Sequence, residues 1–229
     1  MFWFDRYYFL LIVPAMLIAL WAQMRVNGAF DRYSRVFSRR GITAAQVARD
    51  ILDQNGLYNV QVERVPGRLT DHYDPRTNVV RLSDDVYSST SIASIGVAAH
   101  EVGHAVQHSV DYTPLVVRSA IIPITNIGSR LSIPLILLGV IFSAQPLVEI
   151  GIIAFSLMVL FQLITLPVEF NASSRAIKTL EADGYLYEDE ITGAKQVLSA
   201  AALTYVAALI TAVAQLLRLI LLFGRRDRD

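Results

Sequence analysis

Long stretches without charge constrain this chain more than any other feature. From Tyr7 to Met24 no residue is charged, and Arg6 and Arg25 close the stretch. Between Arg118 and Glu149 the only charge is Arg130, and from Ile150 to Val168 there is none. Gln196 to Leu217 is uncharged again, and Leu219–Phe223 prolong the apolar run past Arg218. A helix that crosses a bilayer needs about 20 mostly apolar residues. The four stretches therefore predict four spans, the second over about 126–143. Arg130 can reach the interface along its aliphatic stem. Pro134 is compatible with a membrane helix, where neighbours satisfy the freed backbone. The first stretch reads as an uncleaved anchor. Asp5 offsets Arg6, and Trp21, Gln23 and Met24 leave no small-residue cleavage site. Composition agrees: 17% of residues are charged, against about 25% in a soluble domain.

Four crossings place residues 25–118 and 169–195 on one side of the membrane. Together they are long enough for a small domain. The expected organisation is an anchor (1–24), a polar domain (25–118), two spans (119–168), a second polar segment (169–195) and a last span with a basic tail (196–229). Lys and Arg near the span ends favour the cytoplasm for the polar side. Nine lie there: Arg25, Arg32, Arg35, Arg39, Arg40, Arg118, Arg175, Lys178 and Lys195. The other side has Arg6, Arg225, Arg226 and Arg228, with Arg218 at its edge. The formal net charge of zero gives no basic field for nucleic acid. The absence of cysteine excludes disulfides, iron–sulfur clusters and thiol nucleophiles.

The polar part mixes helix and strand. Thr43 is placed to cap a helix to about Asn55, with Ala44, Val47, Ala48, Ile51 and Leu52 on one face and Gly56 after it. Asn59–Val65 alternates as a strand does, and Asn78–Leu82 reads as a second short strand. Pro66-Gly67 and Asp74-Pro75 mark turns. Ser88, Ser89, Thr90 and Ser91 offer caps for a helix through about His108, and Thr113-Pro114 opens another. The fold class expected is a mainly α integral membrane protein with a small α+β domain that holds a short hairpin or sheet.

His100-Glu101-Val102-Gly103-His104 is an HExxH motif on that predicted helix. Histidines at i and i+4 share a helix face and can share one metal ion. Glu101 is offset from them, placed to take a proton from a water on the metal rather than to bind the ion. The bland alternative is a helix with stray histidines, but three of the four His in the chain fall at 100, 104 and 108. A catalytic zinc wants three protein ligands and one open position. His108 lies about 12 Å from His100 along a helix axis, too far for one ion with bonds of about 2 Å. It is expected behind the ligands, in packing or at the surface. The extended HExxHxxGxxH pattern fails at Gln107 and Val110. Glu169 is the best third ligand, because a carboxylate where a span emerges is costly unless paired or metal-bound. Glu181 and Asp183 are rivals, and an interfacial pair with Arg175 is the bland alternative for Glu169.

Asp71-His72-Tyr73-Asp74 is a second polar cluster. His72 is a candidate for orienting substrate, although a turn held by Asp and Tyr is the simpler reading. Asn78–Leu82, with Asn78, Val79 and Val80, is a candidate exposed edge on which a peptide substrate could pair. The helix around the motif is too polar, with Ser88, Ser89, Thr90, Ser91, Ser94, Gln107 and His108, for an intramembrane protease of the site-2 type. A catalytically silent scaffold would have no need of Glu101.

Three stretches resemble the YugP-like membrane zinc metallopeptidases: Val97–Gln107, Glu169–Ser173 and Leu198–Ala208. The resemblance runs over nearly the whole chain. It implies a zincin-like domain of the gluzincin kind in a bacterial inner membrane. It also implies one Zn2+ per chain, held by His100, His104 and Glu169, with Glu101 catalytic. Protein or peptide substrates, membrane or misfolded proteins among them, and the lipid bilayer are the partners implied. No segment specifies a second copy or a partner protein. The chain is also distantly similar to HtpX-type peptidases, which place Asp four residues after the ligand Glu, behind a ligand His. Ser173 stands there instead, so Ser173 or Asn171 is expected to take that role.

Overall fold

A computed structural model of the chain describes residues 5–224. Arg225, Arg226 and Arg228, which entered the charge comparison, lie outside the described residues. Among the described residues, four helices are long and apolar enough to cross a membrane, within Tyr8–Tyr33, Thr113–Ile141, Gln145–Ala182 and Glu188–Phe223. The first begins with a π-helical turn, Tyr8–Ile12, and continues as α1 (Val13–Tyr33). The chain is a mainly α membrane protein with a small α+β part. It divides into two compact units, each made from separated segments.

One unit joins Met24–Val116 to Val168–Ala202. After the end of α1 comes α2 (Ala44–Gln54), capped as expected by Thr43. The Thr43 side chain accepts from the Gln46 backbone while the Gln46 side chain accepts from Thr43 N–H. This reciprocal arrangement satisfies two of the helix's unpaired donors. The apolar face Ala44, Val47, Ala48, Ile51 and Leu52 is buried. Three strands follow: β1 (Gln61–Val65), β2 (His72–Asp74) and β3 (Val79–Ser83). The sheet order is β1-β3-β2. β1 is parallel to β3 and β2 antiparallel to it, with Tyr73 opposite Val80.

A one-turn helix, α3 (Asp84–Tyr87), leads to α4 (Ile92–Ser109). Of the four candidate caps for α4, Ser91 is the one used: its Oγ accepts from Ser94 N–H at 3.2 Å. The first residues of α5 (Thr113–Ile141), the polar end of α6 (Gln145–Ala182) and the start of α7 (Glu188–Phe223) complete the unit. One hydrophobic core joins α2, the sheet, α4, α6 and α7 through residues such as Leu52, Leu82, Ile95, Val102, Leu180 and Val197.

The strand expected at 78–82 is therefore not an edge. β3 is the central strand, paired on both sides, and Val79 and Val80 are buried. Its backbone groups are already used, so Asn78, Val79 and Val80 cannot receive a peptide by strand addition. The Asp71–Asp74 cluster, expected to be a turn, contributes β2. Asp71 explains the entry: its carboxylate accepts from Ser83 N–H at 2.7 Å and from Ser83 Oγ at 3.0 Å. That ties the chain before β2 to the end of β3.

The other unit joins the residues up to Gln23, Val117–Pro167 and the residues from Leu203 onward. Ile136, Phe155 and Leu219 form one of its clusters, and Ile12, Ala15 and Ala214 another. Gly139 and Gly151 let α5 and α6 touch. A Cβ at Gly151 would lie 2.8 Å from Ser132 O, and one at Gly139 would lie 2.8 Å from Val148 N. Small residues at such crossings are how membrane helices gain packing contact. Arg218 donates to Asp5 at 2.7 Å, a half-buried pair within this unit.

Candidate metal centre

The centre is built from two helices. On α4, His100 and His104 are one turn apart, and their rings meet edge to face with centroids 4.8 Å apart. On α6, Glu169 faces them with only 4% of its surface exposed. Its Oε2 lies 3.4 Å from His100 Nε2 and 3.4 Å from His104 Nε2. Each residue offers a donor atom, and the three donors lie within 4.8 Å of one another. Among the described residues this is the His/Cys/Asp/Glu group of metal-holding geometry.

The spacing of Glu169 from the two rings is longer than a charge-assisted hydrogen bond and close to the separation of two ligands on one ion. A charge-assisted N–H···O bond is about 2.8 Å long. Ligands about 2.05 Å from a zinc ion at tetrahedral angles stand roughly 3.3 Å from each other. The two 3.4 Å separations from Glu169 match the second figure, and the three donors together lie within 4.8 Å of one another. Two imidazole nitrogens and one carboxylate oxygen are also a donor set zinc takes.

The far side of each ring is held as well. His100 Nδ1 lies 3.1 Å from Ser173 Oγ, the position where the resemblance raised Ser173 as a substitute for Asp. His104 Nδ1 lies 3.0 Å from Gln107 Oε1. Gln107 in turn donates to Val168 O at 2.8 Å and to Asn171 Oδ1 at 2.9 Å. Asn171 is thus one contact further from the rings than Ser173. Arg175 does not pair with Glu169; its Nε donates to Asn171 Oδ1 at 2.8 Å.

Burial works against a charged His104, but the Glu169 carboxylate, helped by the charge of Glu101, raises its pKa above the ordinary imidazole value. Glu101 also acts on Asp71. Burial pushes the Asp71 pKa up, the two Ser83 contacts oppose that, and the Glu101 charge adds to the rise. The charge of Glu101 is therefore felt by both His104 and Asp71.

The remaining candidates stand elsewhere. His108 Nδ1 lies 2.8 Å from Tyr73 OH, so His108 links the end of α4 to β2 rather than backing a ligand ring. His72 is exposed and hydrogen-bonds through Nδ1 to Thr70 O at 2.8 Å. Glu181 and Asp183 are exposed and outside the group of three. Gln107 is the residue that sequence reasoning missed. Its signal was a polar side chain one turn after His104, on the helix face that carries both histidines. Gly103 was passed over too: a Cβ there would lie 2.9 Å from Ala172 O.

This arrangement defines a class: two histidines of an HExxH helix and a glutamate from a second helix, in a chain with four membrane-length helices. The chain belongs to the family described as "Putative neutral zinc metallopeptidase", whose model matches residues 8–224. It is 50% identical over 220 residues to a Bacillus subtilis (strain 168) protein named "Putative membrane protease YugP", covering 96% of this chain and 98% of that one. No solved structure matches it.

Proposed function

We propose that the protein is a membrane-embedded zinc endopeptidase with His100, His104 and Glu169 as ligands and Glu101 as general base. The observation that carries this reading is the pair of 3.4 Å separations that centre Glu169 Oε2 between the two His Nε2 atoms. Bound there, zinc supplies Lewis acidity, polarising a peptide carbonyl and making a water acidic near neutral pH. The chain's own residues do the rest. Glu101 follows His100 directly, so its carboxylate is offset round the helix from the ligand face. It takes the proton of the attacking water and delivers it to the leaving amine. Ser173 and Gln107 keep the two rings aimed. The domain limits follow the two polar segments, 25–118 and 169–195, with the metal group spanning both. Substrates are protein or peptide chains, membrane or misfolded proteins among them. Membership of a zinc peptidase family and similarity to a membrane protease support the activity. The Lys/Arg distribution favours the cytoplasmic side for the site, and similarity to a Bacillus subtilis membrane protease supports a bacterial inner membrane as its location.

The test is Glu101→Gln, purified in detergent and assayed on a casein-derived fluorogenic peptide. Hydrolysis should fall by several orders of magnitude while zinc content stays near one per chain. Near-normal hydrolysis by the variant would overturn the assigned role of Glu101.

A further inference from the structure

We propose that Gln107 is a positioning residue whose side-chain amide, oriented by α6, fixes which nitrogen of His104 faces the metal. The inference rests on the zinc-site reading above and adds a residue that the motif does not contain.

Gln107 is fully buried, so each of its polar atoms needs a partner. It has them: His104 Nδ1 at Oε1, and Val168 O and Asn171 Oδ1 at Nε2. Which end of the amide points where is settled by its neighbours. A backbone carbonyl can only accept, so Nε2 must face Val168 O. Asn171 Oδ1 is identified the same way, because Arg175 Nε donates to it and a guanidinium cannot accept. Two acceptors on α6 therefore hold the NH2 of Gln107, and its oxygen is left for His104. That oxygen carries no hydrogen, so the hydrogen of the contact sits on His104 Nδ1. A neutral imidazole with Nδ1–H has its lone pair on Nε2. Nε2 is the atom 3.4 Å from Glu169 Oε2.

The tautomer of one ligand is thus set by a carbonyl one residue before another ligand. The contact from Gln107 to Val168 also holds α6 beside α4 at the level of Glu169. His100 lacks this device. Its Nδ1 meets the Ser173 hydroxyl, which can donate or accept, so nothing on that side selects a tautomer.

The experiment uses the full chain in detergent and zinc affinity measured by competition with a chromogenic chelator. Melting in EDTA gives a second readout that contains no metal. Partners behind metal-ligating histidines typically change affinity by about 10–100-fold, and Gln107→Met should weaken zinc by that much. The loss should exceed what the EDTA melting shift explains, and the visible spectrum of the Co2+-loaded protein should change. Asn171→Asp keeps the acceptor and should bind zinc within about 2-fold of wild type, whereas Asn171→Leu should bind several-fold more weakly. If Gln107→Met does not fold, the Asn171 pair decides. Wild-type affinity in Gln107→Met, or equal losses in the two Asn171 variants, overturns the proposal while the zinc site stands. Failure of the wild-type chain to take up zinc overturns both.

Discussion

At the scale of single residues, Glu169 is an expensive side chain to bury, with 4% of its surface exposed. An ionised carboxylate in such surroundings persists only with charge or metal against it. On the proposed ligand set, Glu169→Ala should lose most of its zinc and its activity. Wild type should gain about 2.7 kcal/mol of stability from zinc at 100 times its Kd, and this variant should not. His108→Ala should keep its zinc and much of its activity, since His108 contacts Tyr73 and not the ligands. Metal content and melting with and without zinc check both, and the opposite pattern would remove Glu169 from the site.

Asp71 behaves differently. Its folded pKa is raised above 3.8, so the folded state holds the proton more tightly than the unfolded chain. The stability this gives is fully present below the unfolded value and is lost as pH rises through the folded one. Asp71→Asn should flatten that slope, because the amide can accept from Ser83 N–H and donate to Ser83 Oγ. Near pH 8 it should stay within about 1 kcal/mol of wild type, whereas Asp71→Ala, which strands a buried N–H, should lose about 1–3 kcal/mol. Denaturant melts across pH give the comparison.

Among the elements, the decisive contact is the one between α4 and α6. Gly103 is where their backbones meet: a Cβ there would fall 2.9 Å from Ala172 O and 3.3 Å from Ala172 Cα. Backbone cannot move aside as a flexible side chain can. Gly103→Ala should force the helices apart three residues from Glu169, cost about 1–3 kcal/mol, and weaken zinc as well. Gly96, two turns earlier on α4, is the control. A Cβ there would meet Ala194, its Cβ at 3.5 Å and its Cα at 3.8 Å, both ordinary contacts. Gly96→Ala should be neutral or stabilising by up to about 1 kcal/mol, the helix-propensity gain. Melting of the two variants side by side distinguishes backbone approach from helix propensity.

The same helices show what the sequence made legible. α4 could be read because its serines are strong caps and its motif has helical spacing. α2 could be read from Thr43, Gly56 and a clean apolar face. β2 could not, since His72–Asp74 is too short to show alternation and its place depends on Asp71 reaching Ser83. The central position of β3 was hidden for a related reason: its parallel partner β1 lies beyond the intervening strand, and strand order is a long-range property. Gln107 was hidden because two of its three partners lie on another helix, more than sixty residues on.

At the scale of the whole molecule, the apolar runs were the most legible feature because a bilayer leaves a crossing helix few alternatives. The Lys/Arg distribution adds an orientation. Single cysteines at Ser88 and Gly224 test it cleanly, as the chain has no cysteine of its own. An impermeant maleimide added to intact bacteria should label position 224 and leave 88 unlabelled. The reverse pattern would place the HExxH side outside and show that Arg25–Arg40 do not govern topology. One further consequence follows from the placement of the proposed ligands on α4 and α6, which are separated along the chain by all of α5 and the apolar part of α6. A ribosome that has just made α4 has released a chain with two imidazoles and no third ligand. The proposed chelate can close only after the next two hydrophobic stretches have been synthesised. On this proposed ligand set, proteolytic competence waits for Glu169, and a chain that stops short of it is a harmless one.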